Sequence, residues 1–115
     1  MKKIIKEIKK AIEKSNKQYF GLRSEMDNDY QIGDITKKSF VWDDDTPTNE
    51  QLPGTCAIRV DKNSIETGLK AVSDYYGKEI LVLAADAKER YDDADYRETL
   101  LVDAEVIKKF NYKDI

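Results

Sequence analysis

Tyr30–Val60, YQIGDITKKSFVWDDDTPTNEQLPGTCAIRV, holds the chain's only Trp, its only Cys, both prolines and its densest run of acids. Two strand patterns frame it. In Ser39–Trp42, Phe40 and Trp42 share one face and Val41 takes the other; in Thr55–Val60, Cys56, Ile58 and Val60 point one way and Thr55 and Arg59 the other. Tyr30–Ile32 reads as a short strand closed by Gly33-Asp34. Asp43-Asp44-Asp45 ends the Trp42 strand, because adjacent carboxylates repel and Asp is a poor strand former. Thr46-Pro47 then reads as a cap and first residue of a helical turn, and Pro53-Gly54 as a second turn.

Upstream, Ile4, Ile5, Ile8, Ala11 and Ile12 recur at helical spacing with lysines opposite, which predicts an amphipathic helix over residues 2–17. Tyr19–Ser24 reads as a strand in which Gly21 permits a bend or bulge. Downstream, residues 63–76 read as a second helix, with Asn63 and Glu66 as a capping box and Gly77 at its end. EILVLAA, Glu79–Ala85, is apolar almost throughout and reads as a central strand covered on both faces. Asp86–Asp95 reads as an acid-rich connection, Tyr96–Val102 as a strand, Asp103-Ala104 as a turn and Val106–Phe110 as a last strand, with one short helix over Asp103–Phe110 as the alternative. The order predicts one α+β domain spanning 1–115: a twisted, mostly antiparallel sheet of five to seven strands with both helices on one face.

At 115 residues there is room for one core. Apolar residues make up 40% and charged residues 37%, so the core is small and the surface heavily charged. No apolar run approaches the roughly 20 residues that span a bilayer, so no membrane partner is expected. The N-terminus lacks the apolar stretch and cleavage site of a secretion signal. A single Cys cannot form an internal disulfide, and a reducing cytoplasmic location is expected. The net charge of −3 conceals a polarity. Residues 1–24 carry eight basic side chains against two acidic, and the remainder 12 against 21. Such polarity suits two surfaces, one for a polyanion and one for a basic partner; the plain alternative is a solvated exterior.

The chain has no histidine, which removes Ser–His–Asp and Cys–His catalysis and imidazole-ligated zinc. Its five glycines are scattered, so no phosphate-cradling loop exists, and no cofactor is expected. Cys56 reads as a small core residue. Asp43, Asp44 and Asp45 lack the alternating spacing of a calcium loop, and no metal site is assigned. Those acids, with Asp92, Asp93 and Asp95, can engage a basic protein groove, and Trp42 can supply an aromatic anchor. Lys6, Lys9, Lys10, Lys14 and Lys17, with Arg23, can track a nucleic-acid backbone, though nothing among them would read sequence.

The ordered set Tyr30/Gly33/Asp34, Ser39/Trp42/Asp43/Asp44, Leu52–Ile58 (LPGTCAI) and Asp103–Ile107 (DAEVI) resembles a small domain carried on phages and plasmids of low-GC Gram-positive bacteria. Some type II-A anti-CRISPR proteins resemble that domain. The similarity runs from about Lys17 to Phe110. It implies a protein that disables an RNA-guided nuclease by binding it or by interfering with its guide RNA. The acids would then occupy the nuclease's basic RNA channel while the lysines touch the guide. A second, looser resemblance links Tyr19–Arg23 (YFGLR) and Glu98 to the Arg and Glu motifs of ADP-ribosyltransferases. It implies Arg23 on a dinucleotide diphosphate and Glu98 beside a developing oxocarbenium charge. The Ser-Thr-Ser and Glu-x-Glu motifs of those enzymes are missing.

Overall fold

Alternate residues of Glu79–Ala85 feed two separate cores, and that division sets the architecture of the computed structural model. Ile80 and Val82 join one cluster, Leu81, Leu83 and Ala85 the other, and all five are at most 1% exposed. The structure describes residues 2–26, 28–36, 39–42, 51–73, 77, 79–92 and 98–114. Within them the order is α1 (Lys2–Lys14), β1 (Tyr19–Glu25), β2 (Ser39–Trp42), β3 (Gln51–Val60), α2 (Ile65–Val72), β4 (Glu79–Ala85), β5 (Ala87–Asp92), β6 (Glu98–Val102) and β7 (Glu105–Asn111). The six-strand path β5-β6-β3-β1-β4-β7 is antiparallel, and β2 pairs with the first half of β3. The α+β architecture with two helices on one sheet face is therefore the one the hydrophobic pattern predicts.

Ile4, Ile8 and Ile12 of α1 and Ile65, Leu69 and Val72 of α2 pack on Leu22, Ile58, Val60, Ile80 and Val82. These are the apolar stripes of two short amphipathic helices, which tertiary burial stabilises more than propensity does. The opposite face is enclosed by the sheet itself. Leu101 of β6 lies two strands from β1, yet its Cδ1 is 3.1 Å from where a Cβ on Gly21 would stand. Strands two apart in a flat sheet are separated by about 9–10 Å, so the sheet is strongly coiled around Gly21. Ala57, Leu81, Leu83, Leu101, Ala104 and Val106 fill its concave side, and Tyr30 lies over them.

The Tyr30 segment is a turn, not the predicted strand. Gln31 N donates to Asp34 Oδ2 at 2.8 Å, Asp34 N returns to the Gln31 carbonyl, and Gly33 has φ +98°. A side-chain acceptor two or three residues away competes with a strand ladder for the same amides. The chain then meets β7 through an Ile35–Glu105 bridge. Thr36 clasps two elements: its amide and hydroxyl both donate to the Ala104 carbonyl, and its Oγ1 lies 2.7 Å from Thr55 Oγ1 on β3.

Other boundaries also differ. Pro53-Gly54 lies inside β3 rather than in a turn; Gly54, at φ +148°, marks where β3 exchanges β2 for β6 as its partner. The acid-rich connection contains β5, which pairs with β6 from Ala87↔Val102 to Asp92↔Thr99. An edge strand needs no second buried face and tolerates charge, so hydropathy hides it. α1 stops at Lys14, where Ser15 N is shared between the Ala11 and Ile12 carbonyls. Helix α2 begins after Ser64 instead of Asn63, without a side-chain cap, because the Ser64 hydroxyl accepts from Asp61 N at 2.9 Å. It ends at Val72, with Ser73 at its C-cap. The predicted helical turn at Thr46-Pro47, residues 74–76 of the predicted helix and residues 96–97 of the predicted strand lie outside the described residues.

Gly21→Val tests the coil. Its Cβ would stand 2.7 Å from the Ala57 Cβ, and the extra branches deepen the clash. Urea unfolding should show a loss of about 1–3 kcal/mol, whereas Gly33→Asn, at an open left-handed position, should cost much less. Equal, small losses would contradict so close a β6–β1 approach.

Candidate functional site

The sheet opens on one side of β1. This strand pairs with β4 over all seven residues, but with β3 only from Phe20↔Val60 to Leu22↔Ile58. Past Leu22 the two strands part. Arg23 Nη1 donates to the Cys56 carbonyl at 2.9 Å, and Nε donates to Glu25 Oε1 at 3.3 Å. Glu25, 5% exposed, accepts from Met26 N through its other oxygen. The guanidinium thus bridges the gap left by missing backbone pairing.

Above this gap is a pocket of about 170 Å³ lined by Leu22, Arg23, Ser24, Cys56, Ile58, Val72 and Glu98, among others. Glu98 arrives there because it pairs with Ile58 across β3, which in turn pairs with Leu22. Two residues far apart in sequence, Arg23 and Glu98, therefore line one pocket. Its volume is well below the roughly 300 Å³ from which pockets for drug-sized ligands begin. A dinucleotide does not fit it in this form. Ser24 Oγ is buried without a hydrogen-bond partner, a state that costs about 1–3 kcal/mol and that sequence reading did not anticipate. The available signal was its i+2 relation to core Leu22.

Cys56 is half-buried at this pocket instead of sitting wholly in the core. Its strand bends away from β1 there, so the cover that buries Ile58 and Val60 on the same face does not fully reach Cys56. Burial pushes its thiol pKa up, the Glu98 charge adds to that, and Arg23 opposes it.

The lysines form a second feature. Lys2, Lys3, Lys6, Lys9, Lys10 and Lys14 are exposed on α1, opposite its buried isoleucines. Lys17 is engaged: its Nζ donates to Asp86 Oδ2 at 3.0 Å, which raises its pKa and ties the helix exit to the β4–β5 turn. Arg23 is committed to the sheet gap rather than to the lysine face. An open groove of about 650 Å³ runs between α1 and β7, bordered by Lys10, Lys14 and Lys108 with Glu7, Glu105 and exposed Ile32. Sequence reading missed Lys108 and Ile32 because only the fold brings them beside the helix.

Of the predicted acidic surface, Asp43, Asp44, Asp45, Asp93 and Asp95 lie outside the described residues. Trp42 ends β2 opposite Gln51, and Asp92 ends β5 opposite Thr99. Among the described residues, no cluster of three or more Cys, Asp or Glu can hold a metal ion, and no helix is long and apolar enough to cross a membrane.

Two outcomes follow from the gap. Arg23→Met should cost about 3 kcal/mol, since the buried Glu25 carboxylate loses its cationic partner, and Arg23→Met/Glu25→Met should recover much of that; denaturant midpoints measure both. Folding raises the Cys56 pKa, so its contribution is complete below the unfolded thiol's pKa and is lost as pH climbs through the folded value. As pH rises above the unfolded thiol's value of about 8.5, the parent should lose more stability than Cys56→Ala.

Set beside known proteins, the chain matches no family model, no curated protein and no solved structure.

Proposed function

We propose that the protein is an inhibitor encoded by a mobile element, which disables a type II-A RNA-guided nuclease in the bacterial cytoplasm by binding the nuclease or its guide RNA. The observation that carries this reading is the outer face of α1. Lys2, Lys6, Lys10 and Lys14 form an unbroken i,i+4 row, every member exposed. Successive members are about 6 Å apart along the helix axis. Each like-charge pair destabilises the helix by about 0.2–0.5 kcal/mol. Burial of Ile4, Ile8 and Ile12 offsets that penalty and holds the cations on a fixed scaffold. A fixed cationic row is suited to a polyphosphate backbone, recognised without sequence preference. The resemblance of Tyr30–Val60 and Asp103–Ile107 to the anti-CRISPR-associated domain supplies the target, and the acids at Asp43–Asp45 and Asp92–Asp95 supply the charge for its basic channel.

A second reading, a small ADP-ribosyltransferase-like enzyme, is favoured by one observation: Arg23 and Glu98 line the same pocket. The pocket's size and the engagement of the guanidinium weigh against it.

Binding of guide RNA and of the loaded nuclease across a salt series separates the readings. Lys6→Gln/Lys10→Gln/Lys14→Gln should weaken inhibition and flatten the log–log salt slope by about 2. Asp43→Ala/Asp44→Ala/Asp45→Ala should reduce nuclease binding at moderate salt. Unchanged inhibition in both variants would overturn the proposal, and transfer of label from NAD, abolished by Glu98→Gln, would establish the second reading in its place.

A further inference from the structure

We infer that the outer edge of β7 takes up an extended acidic segment of a partner protein as an added antiparallel strand. The backbone sets the first condition. Val106, opposite Leu83 of β4, turns its N–H and C=O away from β4, to Asp34 and Gly33. Backbone groups alternate in direction along an antiparallel ladder. Lys109 and Asn111 stand opposite Leu81 and Glu79, two and four residues from Leu83, so their N–H and C=O also point outward. Among the described residues no backbone group meets them. The segment that covers the first half of the edge reaches only to Gly33, where φ is +98° and the chain turns. One half of this edge is therefore already used for pairing, and the other half is open.

Side chains select the occupant. Lys108 and Phe110 stand opposite Val82 and Ile80, which places them on the helix-covered face, and Phe110 is half-buried against its core. Lys108 borders the open groove of about 650 Å³ that has Lys10 and Lys14 on its α1 wall. None of these three lysines forms an ion pair among the described residues. Two acids share the groove: Glu105 acts on Lys17 at the helix exit, and Glu7 stands one helical turn from both Lys3 and Lys10. Residues opposite each other in a sheet share a face. An incoming antiparallel strand therefore sets an apolar residue over Phe110 and, two positions on, a carboxylate beside Lys108. Further acids then reach Lys10 and Lys14. The matching pattern is apolar-x-acid-acid. A second β7 would bring its own lysines to the edge, and a phosphate backbone has no N–H to offer the Lys109 carbonyl.

Lys10 and Lys14 belong also to the outward row of α1, but Lys108 and the β7 backbone do not. The inference does not rest on the nuclease reading, and either can fail alone.

Amide exchange and an NMR titration of the full chain test it. In the free protein the Lys109 and Asn111 amides should exchange fast, and that of Phe110, which faces β4, slowly. A blocked peptide reading Thr-Val-Thr-Glu-Glu-Glu should bind saturably and protect both edge amides. Lysines in place of its glutamates should abolish that protection. So should Pro in place of its second Thr, which faces Lys109 and would lose the N–H it donates. Lys108→Glu should weaken the acidic peptide roughly tenfold and admit the lysine one. Asn111→Pro, a change that an edge strand tolerates, removes one outward donor and should also weaken binding; retained spectral dispersion shows both variants folded. Protected Lys109 and Asn111 amides before any peptide is added, or no saturable protection with it, would overturn the proposal. So would equal binding of the glutamate, lysine and proline peptides. Protection of the same amides by oligouridylate, or by raised protein concentration alone, would likewise overturn it, assigning the edge to RNA or to a second copy.

Discussion

The missing side chain at Gly21 is the constraint on which the rest of this structure depends. There β6 folds across β1 closely enough that a Cβ would meet both Ala57 and Leu101. That approach coils the sheet, and coiling gives a 115-residue chain a second apolar interior without a further helix among the described residues. One face of β4 is covered by α1 and α2, the other by the sheet's own concavity. The same curvature carries β3 away from β1 after Ile58, because β3 must bend at Gly54 to meet β2 as well as β6. The gap filled by Arg23, and the pocket above it, follow from that divergence.

Charge is organised around the same frame. Lysines that would destabilise an isolated helix are tolerated on α1 because three isoleucines anchor it to the sheet. The one basic residue at its exit, Lys17, is drawn to Asp86 and fixes where the helix hands over to β1. Arg23, by contrast, is internal machinery: where two strands part, a long side chain with a planar fork of donors reaches the Cys56 carbonyl. Basic residues of one composition class thus divide into an outward row and an inward plug. Among the described residues, the outward row presents its charge to solvent and Arg23 spends its own on the sheet.

What could be read in advance was governed by burial. Strand β4 and helix α1 follow from their hydropathy, since each residue's solvent exposure is dictated by a single periodicity. Strand β5 did not announce itself, because an edge strand satisfies its backbone on one side and leaves composition free. Tyr30–Ile32 looked like a strand until Asp34 claimed the Gln31 amide. Asn63 looked like a cap, but the Ser64 hydroxyl was already used by the preceding turn. Such local competitions are decided by differences of about 1 kcal/mol, too small to read from residue type.

By itself the sequence determined the two helical stripes, the doubly buried strand, the α+β class and a lysine-rich outer face, because each is a repeating pattern of burial and charge along contiguous residues. The tertiary structure alone decided that Arg23, Ser24, Cys56 and Glu98 meet in one pocket and that Lys108 and Ile32 stand beside α1. These juxtapositions depend on strand register and on the curvature of the sheet. Both are set by contacts such as Gly21 against Leu101, made between residues distant along the chain, and no local pattern encodes them.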